Sequence, residues 1–224
     1  MVGLCSEQYS FSMRVDHQTP DVSVVVCVYN EEIHLETCLR SLTRQRFDRD
    51  YEVIVVNDAS TDNSATILRK FESSPLVRVI HNGSRRGIGY SAHLGVSSSA
   101  GRYIVRVDAD DYVSEYLLQV LFLALNEGCG HSAVRCDYLK VDNWGRSLGD
   151  FDATEHPIAC GIMFDRDALV QVGLYNPDLE VGEDVDLELR FSSTFEIAHV
   201  AIPLYRYRQH PGNTTRGPEE SIHS

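Results

Sequence analysis

The chain of 224 residues has no P-loop, no internal repeat and no low-complexity segment. It also has no apolar stretch long enough to cross a bilayer. Its longest apolar run, Leu117 to Leu125, is interrupted by Gln119 and falls short of the ~20 residues a spanning helix needs. Met1 to Pro20 is polar and mixed, without the basic start and apolar centre of a signal peptide. Positive charge is scarce: 20 Lys and Arg stand against 33 Asp and Glu, for a net charge of −13. That balance argues against nucleic acid as the main partner, because a phosphate backbone needs clustered basic residues. It also means that any diphosphate ligand needs local neutralisation, by a metal ion or by a few placed arginines. None of the six cysteines (Cys5, Cys27, Cys38, Cys129, Cys136, Cys160) forms a Cys-x-x-Cys pair. They read as reduced thiols, which points to the cytosol. Two glycosylation sequons, at Asn82 and Asn213, mean little without a secretory signal.

What is present is an alternation of strand-like and helix-like stretches. Val22 to Val28 is an apolar run suited to a strand buried on both faces. Leu35, Cys38, Leu39 and Leu42 repeat at helical spacing. Glu52 to Val56, Leu76 to Ile80 and Tyr103 to Val107 read as further strands. Helices are expected around Ile67 to Phe71, Ile88 to Ser99 and Glu115 to Asn126. This order implies a parallel sheet with helices on both faces, and ligands bind beyond the carboxyl ends of such strands. Three polar clusters fall there: Asn30-Glu31-Glu32, Asn57-Asp58 and Asp108 to Asp111. In the second half, Ala133 to Val141 is expected as a strand and Asp142 to Pro157 as a long polar loop. Gly161 to Phe164 reads as a short apolar segment, Asp184 to Arg190 as a helix start, and Phe195 to Val200 and Tyr205 to Arg208 as two short strands.

The candidate chemistry begins with Asp108-Ala109-Asp110-Asp111 just past a strand. Mg²⁺ and Mn²⁺ take carboxylate and phosphate oxygens, and a cation relieves the repulsion between close carboxylates. The competing reading is a polar turn with Ser114 as the next N-cap. Asp58 either accepts hydrogen bonds from a base or ribose or takes part in capping a helix. Arg85-Arg86-Gly87 either faces a diphosphate at a helix entry or is a solvated loop. Glu183 and Asp184 at a helix start suit the helix dipole and equally suit a general base. His210 is either simply exposed or part of a metal shell. Trp144, the single tryptophan, either stacks on a sugar ring or packs in the core.

Five elements in order resemble a family 2 glycosyltransferase: Val-Tyr-Asn-Glu-Glu (28–32), Val-Asn-Asp-Ala-Ser-Thr-Asp (56–62), Asp-Ala-Asp-Asp (108–111), Gly-Glu-Asp-Val-Asp-Leu (182–187) and Tyr-Arg-Gln-His (207–210). The resemblance runs from about Val22 to Asn213. It implies an α/β GT-A fold, a Rossmann-like three-layer sandwich around a mostly parallel sheet. One domain would span 21–215, with a nucleotide-binding half at 21–112 and an acceptor-binding half at 113–215, between an N-terminal extension (1–20) and a tail (216–224). It further implies that Val28, Tyr29, Glu31, Asp58 and Asp108 line the nucleotide site, that Asp110 and His210 hold Mn²⁺ or Mg²⁺, that Asp184 is the catalytic base, and that Glu183 contacts the acceptor. The donor would be a nucleotide-diphosphate sugar, typically of uridine, and transfer would invert the anomeric centre. The acceptor would be a saccharide or lipid-linked hydroxyl in cell-surface polysaccharide or glycolipid synthesis. The protein would be cytoplasmic, with peripheral contact at the inner membrane face and homodimerisation both left open.

Two departures stand out. Cys27 replaces a frequent proline, and the family's Ala-Arg-Asn-x-Gly is here Ala92-His93-Leu94-Gly95. Arg86 or Arg85 is the expected source of the missing charge. The alternatives are a sugar nucleotidyltransferase, which would need a glycine-rich Arg/Lys loop where Asn30-Glu31-Glu32 stands, and a catalytically silent nucleotide-sugar-binding domain.

Overall fold

The computed structural model describes residues 19–127 and 130–210. Cys5, Cys129, the Asn213 sequon, nearly all of the N-terminal extension and the whole of the tail lie outside them. In chain order the elements are β1 (Val22–Val28), α1 (Leu35–Leu42), β2 (Tyr51–Asn57), α2 (Ser64–Phe71), β3 (Val77–His81), α3 (Ile88–Ser97), β4 (Tyr103–Arg106), β5 (Tyr112–Val113), α4 (Leu117–Asn126), β6 (Ala133–Val141), β7 (Ser147–Phe151), β8 (Ile162–Asp165), α5 (Arg166–Val172), α6 (Glu183–Ser192) and β9 (Ile197–Arg208).

One sheet runs in the order β3-β2-β1-β4-β8-β6-β9-β5, with β7 added to β6. Strands β1 to β4 are parallel. β8 joins antiparallel to β4, β6 antiparallel to β8, and β9 parallel to β6. The sheet therefore continues without a break from β1–β4 into the strands of the second half of the chain.

Every residue of β1 is buried, as a strand covered on both faces requires. Its alternating side chains serve two cores. Val22, Val24, Val26 and Val28 pack with α1, α2 and α4. Val25 and Cys27 face α3, α5 and α6 on the other side. These three layers are the α/β architecture expected from the alternating elements. The thiols of Cys27, Cys38, Cys136 and Cys160 are free and buried, so they act as small apolar groups.

The departures from expectation lie mostly in the second half. The 142–157 loop contains a strand, β7, which folds back on β6 as a hairpin. Its sequence Ser-Leu-Gly-Asp-Phe is half polar because this edge faces solvent. The two short terminal strands form one strand, β9, whose register against β6 shifts at Asp137, opposite Pro203. Proline lacks the N–H of a regular ladder, so the apolar pattern breaks while the strand continues. α5 is only seven residues long and was not expected. Its Asp165 N-cap accepts from the N–H groups of Asp167 and Ala168. α4 starts at Leu117, with Tyr116 rather than Ser114 at its N-cap position.

α3 packs tightly because it carries glycines. A Cβ on Gly89 would lie 2.4 Å from the Leu179 carbonyl oxygen and 2.5 Å from that of Asn176. These backbone atoms belong to the segment that leads into α6. Gly89→Ala is expected to cost about 1–3 kcal/mol through overpacking, more than the ~1 kcal/mol gained in helix propensity. Thermal denaturation should show a Tm lowered by several degrees. Gly83→Ala, where a Cβ meets open space, should leave Tm within about 2 °C of wild type.

Candidate active site

The loops after β1 and β2 form one wall. Asn30 and Ala59, each two residues beyond its strand, adopt left-handed φ values of 55° and 57°. The loops are joined by hydrogen bonds from Asn30 N to Ser60 Oγ (3.1 Å), Glu31 N to Ser64 Oγ (2.9 Å) and Glu32 N to Asp62 Oδ2 (2.9 Å). In return, Thr61 N donates to Asn30 Oδ1 at 2.8 Å. Asp58, buried at the end of β2, accepts from Asn82 Nδ2 (2.7 Å), Arg86 N (2.8 Å) and Gly87 N (2.8 Å). It thereby anchors the entry to α3, where Gly87 takes a left-handed φ of 90°. Its Oδ2 accepts one of these three bonds, leaving acceptor capacity toward a ligand.

Arg86 touches Asp58 through its backbone N–H, while its guanidinium lies 4.2 Å from the centre of the Tyr90 ring. Arg85 covers Tyr29 at 4.1 Å. Val28 is buried and its carbonyl accepts from Asp58 N at 2.8 Å. His93, at the altered Ala-His-Leu-Gly position, bonds through Nδ1 to the Tyr175 carbonyl at 2.9 Å.

At the centre is Arg106, the last residue of β4, which the sequence reading did not single out. Its side chain is 5% exposed. Nε and Nη2 donate to Asp108 Oδ1 at 3.1 and 2.9 Å, and Nη1 donates to Glu183 Oε1 at 2.7 Å. One guanidinium thus joins the aspartate cluster to the first turn of α6. The Glu183 carboxylate, expected at the acceptor, is buried and paired with Arg106. Asp184, the next residue, is half-buried, and no described residue hydrogen-bonds or pairs with its carboxylate.

Asp108, Asp110 and Asp111 each offer an oxygen within 4.8 Å of the others. Asp111 is 1% exposed and fully engaged: Oδ2 accepts from Tyr205 OH and Oδ1 from Arg208 N, both at 2.7 Å. Tyr205 OH also accepts from Asp108 N at 3.1 Å. His210 Nε2 lies 3.0 Å from Asp110 Oδ2. The structure therefore brings Asp108, Asp110 and His210 together across 100 residues of sequence. Burial, then the charge of Asp108, raises the pKa of Asp110 above the ordinary carboxylate value. Glu31 is pushed up to about 7 by burial and by the charges of Asp110, Asp62 and Asp108. His34, whose ring is 5.2 Å from that of His210, is lowered to about 4 by burial and by Arg208 and His210.

Tyr205, Arg208 and Arg106 escaped the sequence reading. The available signal was a basic residue inside the apolar strand Tyr-Ile-Val-Arg-Val, two positions before Asp108. A second acidic group, Asp137, Asp152 and His199, also lies within 4.8 Å, but His199 Nε2 is taken up by Asp137 at 2.7 Å.

Comparison with known proteins places this geometry. The glycosyltransferase EpsJ of Bacillus subtilis, itself uncharacterised, is 29% identical over 222 residues, covering 89% of this chain and 64% of its own length. The fold superposes on S. aureus TarS 1–349 in complex with UDP-GlcNAc with a TM-score of 0.75 at 20% identity, over 86% of this chain and 60% of that one. It also matches the Pyrobaculum calidifontis mannosyltransferase PcManGT in complex with GDP-Man and Mn²⁺ (TM-score 0.68, 21% identity, 85% and 57% coverage). These likenesses identify the sheet and its helices as a GT-A fold. The chain spans 35% to 64% of the length of the first curated relatives it matches. The glycosyl transferase family 2 model matches residues 23–170, and with the acidic site assembled on the carboxyl ends of the strands the chain belongs to that family.

Proposed function

We propose that this chain transfers a sugar from a UDP-sugar to a hydroxyl acceptor, with inversion at the anomeric carbon. The observation that carries the reading is the Arg106 clamp, which sets the Asp108 carboxylate and the Asp184-bearing turn of α6 beside one another. A donor-side group and the helix turn that carries the candidate base are thereby held together. Asp58, Val28, Tyr29 and Glu31 bind the nucleoside, and Asp108 meets the ribose. Asp184 takes the proton from the acceptor hydroxyl. The acceptor oxygen then bonds to C1 of the sugar as the C1–oxygen bond to the diphosphate breaks on the opposite face, releasing UDP. Glu183 acts indirectly, by holding Arg106. The acceptor is a saccharide or lipid-linked hydroxyl of the kind used in cell-surface polysaccharide assembly. No helix among the described residues is long and apolar enough to cross a membrane.

The donor set fits a hard divalent cation. Mg²⁺ and Mn²⁺ take carboxylate oxygens, and Asp108 and Asp110 each offer one within 4.8 Å of the other. Burial first, and neighbouring carboxylates second, raise Asp110 and Glu31, and a cation would relieve the repulsive part. Asp110 and His210 would hold Mn²⁺ or Mg²⁺, with Asp108 alongside. The ion would supply positive charge against that developing on the leaving diphosphate.

Three outcomes test this reading. Incubation with UDP-GlcNAc, UDP-glucose and UDP-galactose, Mn²⁺ and pooled oligosaccharides should release UDP from at least one donor; release from none contradicts a transferase. Asp184→Asn should bind UDP as wild type does in calorimetry while losing about 10²–10⁴-fold in UDP release; undiminished turnover removes Asp184 from the role. Asp110→Ala should abolish the Mn²⁺ dependence of UDP affinity, and a wild type that binds UDP equally with and without Mn²⁺ contradicts the metal site.

A pH dependence follows from Glu31. Its folded pKa of about 7 is above the ordinary 4.5, so the unfolded chain binds fewer protons than the folded one between those values. Its contribution to stability is therefore lost as pH rises from 4.5 to about 7. In chelator-treated protein, Glu31→Gln should flatten the fall in Tm across that window. An unchanged pH profile rules the effect out.

A further inference from the structure

Trp144 sits at the tip of the β6–β7 hairpin and is 79% exposed, which excludes core packing. The tip beneath it is closed by hydrogen bonds. Asp142 Oδ1 accepts from Trp144 N and Arg146 N, each at 2.9 Å. Asp142 N donates to the Arg146 carbonyl at 3.0 Å, and Gly145 N to the Asp142 carbonyl at 3.0 Å. Gly145 takes a φ of 80° there, and a Cβ on it would lie 3.1 Å from Tyr112 OH.

The tip is also fastened to the aspartate cluster. Arg208 Nε donates to the Asp110 carbonyl at 2.9 Å, and its Nη1 donates to the carbonyls of Asn143 (2.9 Å) and Asp142 (3.2 Å). The same guanidinium lies 5.3 Å from the centre of the Tyr112 ring. One arginine thus separates the backbone beside Trp144 from the backbone of Asp110. A large apolar ring is displayed to solvent on a braced support next to the reaction site.

We propose that Trp144 is a stacking platform for a pyranose ring of the acceptor, an inference that rests on the transferase reading above. A pyranose presents an apolar C–H face and a rim of hydroxyls. An indole offers a flat apolar surface of similar size, and a preformed support limits the ordering cost of binding. Arg146 lies 5.8 Å from the centre of the indole ring, and Asp142 and Arg146 supply polar groups for the hydroxyls around it. The neighbouring charges favour a sugar over a membrane surface. The hairpin carries Asp137, Asp142 and Asp150 against Arg135, Lys140 and Arg146, a balanced set with no basic cluster of the kind that anionic lipids attract, on a chain of net charge −13.

The chain has one tryptophan, so its fluorescence reports on this position alone. The full chain is titrated, without donor or metal, with chitotetraose, cellotetraose and maltotetraose, and separately with phosphatidylglycerol vesicles. A saturable change in emission with at least one tetrasaccharide is expected. In calorimetry Trp144→Ala should bind that saccharide about tenfold or more weakly, the order lost when a stacked ring is truncated, and Trp144→Phe should recover most of the affinity. No response to any saccharide, an emission shift with vesicles alone, or equal affinity in Trp144→Ala overturns the proposal. Because the titration uses no donor, its failure leaves the UDP-release result standing, and the reverse holds equally.

Discussion

Arg106 is shared between Asp108 and Glu183 at the end of a strand that otherwise presents tyrosine, isoleucine and valine. Taking a guanidinium out of water costs several kcal/mol unless its donors are satisfied. Here Nε, Nη1 and Nη2 all donate to carboxylates. Neither carboxylate can be removed cheaply, since either loss strands a buried charge. That constraint fixes the start of α6 against the end of β4. It works with the close approach of α3, where Gly89 admits the Asn176 and Leu179 carbonyls, to determine where Asp184 stands.

The rest of the site follows from an excess of negative charge. Arg106 offsets Asp108 and Glu183, and hydrogen bonds from Tyr205 and Arg208 hold Asp111. Asp110 and Glu31 remain at the open side, raised in pKa by burial and by their neighbours. The net charge of −13 is thus most acute where a diphosphate would arrive. The same arginine that donates its backbone N–H to Asp111 also braces the Trp144 hairpin. The geometry at Asp110 and the Trp144 hairpin are therefore mechanically linked through Arg208.

The first half of the fold was legible because its strands are continuous apolar runs and its helices carry regular stripes, as at Leu35, Cys38, Leu39 and Leu42. The ordered motifs made the family legible as well. The second half was less so. β7 is a half-polar edge strand, α5 is too short to show a period, and Pro203 splits the pattern of β9. At the site, carboxylates announced themselves by position, and their partners did not. Arg106 sits in a strand pattern that sequence alone reads as structural, and Glu183's commitment to it depends on a contact 77 residues away. The basic pair Arg85-Arg86 drew attention instead, although its side chains stack on Tyr29 and Tyr90.

The most direct measurement is the affinity for UDP in Mn²⁺, by calorimetry, of Arg106→Lys against wild type. Lysine keeps the charge but lacks the planar fork that holds two carboxylates at once. If the clamp organises the site, UDP affinity falls and UDP release falls further, although Arg106 is too deeply buried to touch the nucleotide. A folded Arg106→Lys protein with wild-type UDP affinity and wild-type turnover would contradict the account.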